Sequence, residues 1–239
     1  MRFSNKKALV TGASRGIGAS IANAFKNEGA FVIGTQTENN ISNPGDHCHE
    51  WLVANFADEN QILQCVDFVK SNQIDILINN AGFNINKSFT EIDLNVFKEI
   101  QQVNLLAPFL LSQAAVVGME KRGWGRIVNI SSIFGKISKA GRGAYSASKF
   151  GLDGLTVSLA AEYSSKGIMA NCVAPGFFDT SLTRKMLSSE EISELVSNVP
   201  IARLGEVNEI ANLVLWLSSA ENTFTTGQNI AIDGGFTRV

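Results

Sequence analysis

The chain has 239 residues, 45% of them apolar, with a formal net charge of −2 and a pI of about 5.8. That length suits one large α/β domain with a sizeable core, and the near-neutral charge argues against nucleic acid or an anionic membrane surface as partner. No uninterrupted apolar run approaches the ~20 residues of a membrane span, no signal-peptide core precedes the first strand, and Cys48, Cys65 and Cys172 form no C-x-x-C pair, so a reduced, cytoplasmic setting is expected.

Apolar runs alternate with helical periodicity along the chain, the pattern of βαβ units with parallel strands. A first strand is expected near Lys7–Thr11 and a first helix near Gly16–Glu28, closed by Gly29. Between them, Thr11-Gly12-Ala13-Ser14-Arg15-Gly16-Ile17-Gly18 has the spacing G-x-x-x-G-x-G. A strand, a glycine turn and a helix let backbone N–H groups and the positive helix end face an anion, because no Cβ blocks the approach. A nucleotide diphosphate is the usual occupant. The spacing is not G-x-G-x-x-G, so on the glycines alone a purely structural turn competes with this reading.

Phe31–Thr35 is a second strand, apolar on both faces as a buried parallel strand should be. Residues 38–50 read as a polar loop carrying Pro44-Gly45. Within it, His47-Cys48-His49 are adjacent and point in different directions, so they read as a surface turn and no metal site is expected. Trp51–Ala54 is a third strand, Asp58 starts a helix to Val69, and Ile74–Asn79 is a fourth strand. Asp93 caps a long helix that continues past Pro108 towards Glu120, with a kink at the proline. Arg126–Ser131 is the fifth strand, Ala144–Ser164 a helix, and Ile168–Val173 a sixth strand stopped by Pro175-Gly176. Phe177–Pro200 is irregular, with a short helix opened by the capping box Ser188 and Glu191. Glu209–Leu217 is the last helix and Asn229–Ile232 the last strand. Residues 1–239 are therefore expected to form a single doubly wound (Rossmann) domain, a parallel sheet of about seven strands with helices on both faces.

In such sheets ligands sit beyond the carboxyl ends of the strands, where strand order reverses. The groups placed there are small, polar or glycine-rich: Gly12–Gly18, Thr35–Thr37, Asn55, Asn79–Gly82, Ser131-Ser132 and Pro175–Thr180. Tyr145 and Lys149 stand four apart on a predicted helix, so they project from one face. A phenol with its ordinary pKa of about 10 exchanges protons poorly near neutrality, and a nearby ammonium favours the phenolate. Tyr145 so tuned would protonate a carbonyl oxygen as hydride reaches its carbon. Ser132 would hold the same oxygen, and Asn104 would hold a water linking Lys149 to solvent. No metal is needed.

These residues together resemble the short-chain dehydrogenase/reductases, end to end. The resemblance rests on Thr11-Gly12-x-x-x-Gly16-Ile17-Gly18, Asn79-Asn80-Ala81-Gly82, Asn104, Ser132, Tyr145-x-x-x-Lys149, Pro175-Gly176 and Asp233-Gly234-Gly235, in that order. Within the family the chain is most similar to bacterial 3-oxoacyl-(acyl-carrier-protein) reductases. The resemblance implies Asn104, Ser132, Tyr145 and Lys149 as catalytic residues. It implies a cofactor held by Gly12, Ser14, Arg15, Gly16, Ile17, Gly18, Thr37, Asn55, Asn79, Ala81, Gly82, Tyr145, Lys149, Pro175, Gly176, Phe178 and Thr180. Asn55 reads equally as a simple strand-end asparagine. The resemblance also implies acyl carrier protein docking through Lys121, Arg122 and Lys166, and a homo-tetramer built on the two long helices and the last strand.

The second strand ends Gly34-Thr35-Gln36-Thr37 with no acid before Glu38. With Arg15 in the glycine loop, this favours NADPH over NADH, since an acid there would hold the ribose 2′-OH of NAD. Arg142, three residues before Tyr145, stands where those reductases commonly carry glutamine, and it would bind a carboxylate or phosphate of the substrate alongside Ser132 and Tyr145. Phe177–Pro200 is expected to be a substrate lid. The leading expectation is NADPH-dependent reduction of a 3-oxoacyl thioester in fatty acid biosynthesis. Oxidoreduction of a sugar, polyol or other small carbonyl compound is the alternative, and an idle nucleotide-binding subunit the third reading.

Overall fold

The strands are short apolar runs, and alternate residues of each face opposite sides of the sheet. In β1 (Lys7–Val10) the side chains of Ala8 and Val10 join one buried cluster and Leu9 the other. In β4 (Ile76–Asn79) Ile76 and Ile78 join the first cluster and Leu77 the second. A sheet buried on both faces in this way reads as continuous hydrophobic sequence rather than as alternation. The structure, a computed structural model, describes residues 1–38 and 45–239.

The remaining strands are β2 (Phe31–Gln36), β3 (Glu50–Val53), β5 (Gly125–Ile130), β6 (Ile168–Pro175), the short β7 (Phe178–Asp179) and β8 (Gly205–Glu206), and β9 (Asn229–Ile232). Seven of them form a sheet in the order β3-β2-β1-β4-β5-β6-β9, parallel throughout. The expected doubly wound sheet is present, and strand order reverses between β1 and β4. α1 (Gly16–Asn27) and α8 (Val207–Ser218) cover one face with Ile21, Phe25, Ile210 and Val214. α2 (Glu59–Ser71) and α4 (Ala107–Arg122) cover the other with Ile62, Val66, Leu111 and Met119. Each such fully buried side chain contributes about 1.5–3 kcal/mol relative to exposure.

The long helix does not simply kink at Pro108. α3 (Leu94–Gln101), capped by the Asp93 carboxylate, widens into a π turn over Gln102–Leu106 before α4 begins. Pro108 offers no N–H to the carbonyl of Asn104, four residues back, and its ring crowds that carbonyl. The wider turn relieves the crowding and carries Asn104. Among the described residues one helical stretch, Leu94–Arg122, is long and apolar enough to cross a membrane, but 56% of its apolar window is buried in the protein. Its apolarity belongs to the core.

Two further expectations change. Phe177–Pro200 carries two helices rather than one, α6 (Ser181–Met186) and α7 (Ser189–Ser197), and the Ser188–Glu191 capping box opens the second. The His47-Cys48-His49 stretch is not a polar surface turn. Cys48 is buried against the core, and burial pushes its thiol up to about 12. His47 Nε2 lies 2.9 Å from the Ala13 carbonyl oxygen, and His49 Nδ1 accepts a 3.0 Å hydrogen bond from the Val32 N–H. The histidines thus tie this turn to the glycine loop and to β2. Of the expected loop over 38–50, residues 39–44 lie outside the described residues.

Candidate active site

The glycine turn is built by backbone and hydroxyls. Gly12 and Gly16 have φ of +63° and +57°, which glycine alone adopts without strain. A Cβ on Gly18 would run into the Gly12 carbonyl oxygen and the Asn80 amide. The Thr11 hydroxyl accepts from the N–H groups of Asn80 and Ala81, both at 2.9 Å, and the Thr35 hydroxyl accepts from Gly12 N–H at 2.9 Å. Asn80 Nδ2 donates to the carbonyls of Thr11 and Gly12 at 2.8 and 3.1 Å. The ends of β1, β2 and β4 are thereby locked into one cradle. Arg15, the residue before α1, is exposed, and its side chain enters no ion pair among the described residues. Ser14 and Ile17 are partly exposed and Gly82 exposed around the cradle, and Ala81 packs against the second core cluster. Thr37 and Glu38 are exposed beyond the end of β2, where the buried Gln36 Oε1 has no hydrogen-bond partner.

The side-chain chemistry gathers at the carboxyl ends of β4 and β5. Lys149, on α5 (Gly143–Tyr163), is 4% exposed and its Nζ donates to the Ile130 carbonyl at 2.8 Å. Burial pushes this ammonium down to about 8. Nζ lies 5.7 Å from the Tyr145 ring centroid. Ser132 Oγ accepts from Phe134 N–H at 3.1 Å and stands next to the Tyr145 phenol. Burial pushes the phenol above its ordinary value, against the pull of the Ser132 hydroxyl and of the Arg142 charge. This differs from the sequence expectation in one respect. Lys149 gives one of its three N–H groups to a backbone carbonyl, the charge that pulls on the phenol is that of Arg142, and desolvation prevails, so Tyr145 stands as a protonated donor.

Asn104 is completely buried and its side chain is committed. Oδ1 accepts from Phe83 N–H at 3.0 Å, while Nδ2 donates to the Phe83 carbonyl and to Ser148 Oγ, both at 3.0 Å. The side chain therefore fixes the 82–83 turn to α5, with both Nδ2 hydrogens used and one acceptor site of Oδ1 left open. Oδ1 is 3.0 Å and Lys149 Nζ 3.5 Å from where a Cβ on Gly82 would be, so only glycine leaves this corner open.

Other predicted residues lie elsewhere. The Asn79 side chain points into the core, donating to Asn129 Oδ1 at 2.8 Å and Ser112 Oγ at 3.2 Å, and does not face the crevice. Phe178 is buried in the core cluster beneath Gly205. The Thr180 hydroxyl caps α6 by accepting from Thr183 N–H at 3.1 Å. Asn55 Oδ1 accepts from Ala57 N–H at 3.1 Å, the simple strand-end turn. Pro175 and Gly176 sit at the strand-end edge, where Gly176 N–H donates to the Ile232 carbonyl at 2.9 Å. Lys121, Arg122 and Lys166 precede β5 and β6, so they lie at the amino-end edge, across the sheet from Tyr145. Arg122 pairs with Asp75 at 3.3 Å and Lys166 with Glu120 at 2.7 Å.

Sequence reasoning placed Thr35 at the ligand edge without giving it a partner, and passed over Ser148 and Phe134. Ser148 stands three residues after Tyr145 on the same helix, a spacing that would have flagged it. Nothing local marks Phe134.

A cradle shaped for a dinucleotide, opening beside a buried lysine and a hydroxyl pair, defines an oxidoreductase of the α/β class. Residues 12–237 match the family described as enoyl-(acyl carrier protein) reductase, and the chain belongs to the short-chain dehydrogenase/reductase family, NAD(P)H-dependent oxidoreductases. It is 39% identical over 241 residues to the 3-oxoacyl-(acyl-carrier-protein) reductase FabG of Escherichia coli strain K12, covering 98% of both chains. It is 38% identical to that of Vibrio harveyi, again over 98% of both. Among solved structures it resembles a blue fluorescent protein from a metagenomic library in complex with NADPH, with TM-score 0.90, 33% identity and 99% of both chains covered. It also resembles the gluconate 5-dehydrogenase of Burkholderia cenocepacia J2315 in complex with NADP and tartrate, with TM-score 0.89, 29% identity, and 100% of this chain and 97% of that one covered.

Proposed function

We propose that the chain reduces a 3-oxoacyl thioester on acyl carrier protein to the 3-hydroxyacyl form, using NADPH. The observation that carries the chemistry is the protonated Tyr145 phenol at the mouth of the crevice, with the buried Ser132 hydroxyl beside it and the buried Lys149 ammonium 5.7 Å from its ring. The relatives named for this reaction at 38–39% identity support the substrate class.

The cradle fits the cofactor. Gly12, Ser14, Gly16, Ile17 and Gly18 would hold the pyrophosphate, Arg15 and Thr37 the 2′-phosphate, and Ala81, Gly82, Pro175 and Gly176 the remaining length. The missing Cβ on Gly18, the unpaired Arg15 and the unpartnered Gln36 Oε1 all support that fit. When bound, the reduced nicotinamide supplies the hydride. Tyr145 donates its proton to the substrate carbonyl oxygen as charge develops there, and Ser132 donates a hydrogen bond to the same oxygen. Lys149 resupplies the proton through its charged form, and Asn104 holds the 82–83 turn so that the corner stays open.

Residues 177–200 would act as a lid. The pairing of β7 with β8 forms the base from which α6 and α7 project. A homo-tetramer is supported by exposed apolar side chains on the long helices, including Phe97, Phe109, Val117, Phe150 and Val157. Because Lys121, Arg122 and Lys166 lie across the sheet from Tyr145, a carrier protein docked on them would serve a neighbouring copy.

The test is an assay of NADPH oxidation with acetoacetyl thioesters, free and on acyl carrier protein, beside several keto-sugars and with NADH in parallel. Thioester reduction that is faster on the carrier and faster with NADPH is expected. Turnover of keto-sugars alone would replace this reading with the sugar dehydrogenase one.

A further inference from the structure

Beside Tyr145, two cations share one aromatic ring. The Arg142 guanidinium carbon lies 4.9 Å from the Phe134 ring centroid, and Lys139 Nζ lies 5.7 Å from it. Phe134 is buried and Arg142 half-buried, while Lys139 is exposed at the rim. Neither cation enters an ion pair among the described residues. A partly desolvated guanidinium without a counter-ion is unfavourable to hold, and burial lowers its pKa accordingly.

The surroundings nevertheless fix it. Arg142 N–H donates to the Lys139 carbonyl at 3.3 Å, and the Ser138 and Ser146 hydroxyls, 2.8 Å apart, pin this turn to α5. Arg142 stands just before α5, three residues ahead of Tyr145, so the two share a face. The Phe134 N–H donates to the hydroxyl of Ser132 at 3.1 Å, and the Arg142 charge itself pulls on the Tyr145 phenol. The residue under the guanidinium is thus one hydrogen bond away from Ser132.

We infer that Arg142, with Lys139 at the rim, determines specificity for a carboxylate carried by the substrate close to its reacting carbonyl. This deepens the 3-oxoacyl reading and rests on it. A guanidinium laid against a ring keeps its N–H edge free, and that fork matches a planar carboxylate bidentately. Lys139 adds a second positive charge on the same side. The substrate is then a 3-oxoacyl thioester whose acyl chain ends in an acid rather than in a methyl group.

The experiment compares two N-acetylcysteamine thioesters of equal chain length, 3-oxohexanoyl and its terminal acid, 3-oxoadipyl. The measured quantity is the ratio of their kcat/KM values, acid over neutral, which cancels any general loss of activity. Wild type should favour the acid by about tenfold or more, as expected for one charge-assisted pair. R142Q should bring the ratio to near one, R142K should fall between, and K139A should lower it less. A wild-type ratio near one, or a ratio unchanged in R142Q, overturns the inference while the reductase reading stands. Should R142Q not fold, the wild-type and K139A ratios still decide. If neither thioester is reduced, the reading and the inference fall together.

Discussion

The two halves of the strand-end crevice are made of different materials. Around β1, β2 and β4 the site is backbone: glycines with positive φ, and the hydroxyls of Thr11 and Thr35 binding main-chain N–H groups. Around β5 and α5 it is side chain: a lysine whose charge burial makes unfavourable, a phenol that burial keeps protonated, and a guanidinium with no counter-ion among the described residues. One half acts by shape and the other by shifted titration. Shape tolerates any change that keeps the backbone path, whereas titration depends on every group that dries the pocket.

The sharpest way to test this division is to remove a proton donor without altering shape. Tyr145→Phe should lower kcat by about a thousandfold, within the range for general acid catalysis, and leave NADPH affinity by fluorescence titration within a few-fold. An equal loss of binding would mean the halves are not separable. A substitution in the other half should do the reverse. Gly18→Ala drives a Cβ into the Gly12 carbonyl, and strain of that order weakens NADPH binding about ten- to a hundredfold. Thermal unfolding without cofactor checks that the variant is folded.

The third test uses pH. Lys149 is charged below about 8 and neutral above it, so kcat/KM for reduction should fall up to tenfold per unit above that pH. Lys149→Met should be slow, with no limb there. Stability runs the other way. The folded value lies below the 10.5 of the unfolded chain, so the unfolded state binds more protons between about 8 and 10.5. The contribution of this group to stability therefore rises across that window. Denaturant unfolding of wild type against Lys149→Met at several pH values reads the difference, and parallel curves would show that burial does not shift this lysine.

How much was legible in sequence follows the same division. Gly12, Gly16 and Gly18 mark the backbone half because a position that only glycine can occupy leaves a mark in the chain. Tyr145 and Lys149 are also visible, by spacing on one helix. What that spacing could not reveal is the sign of the phenol's shift. The sign depends on how deeply α5 sinks against β6, and on Lys149 finding the Ile130 carbonyl 19 residues away in the chain. Asn79 and Phe178 failed for a related reason. Both stand at strand ends, but the pleat turns one into the layer under α4 and packing draws the other beneath Gly205.

The wide turn at Gln102–Leu106 has a consequence for anyone who edits this chain. A π turn holds one residue more than the helix around it needs, so deleting a single residue there would restore an unbroken α-helix. The eight residues of α3 would then be screwed round by roughly 100° relative to α4, lifting Ile100 out of the interior where it is wholly enclosed. What looks like a spare residue is the gear tooth that keeps two stretches of one helix engaged with different neighbours.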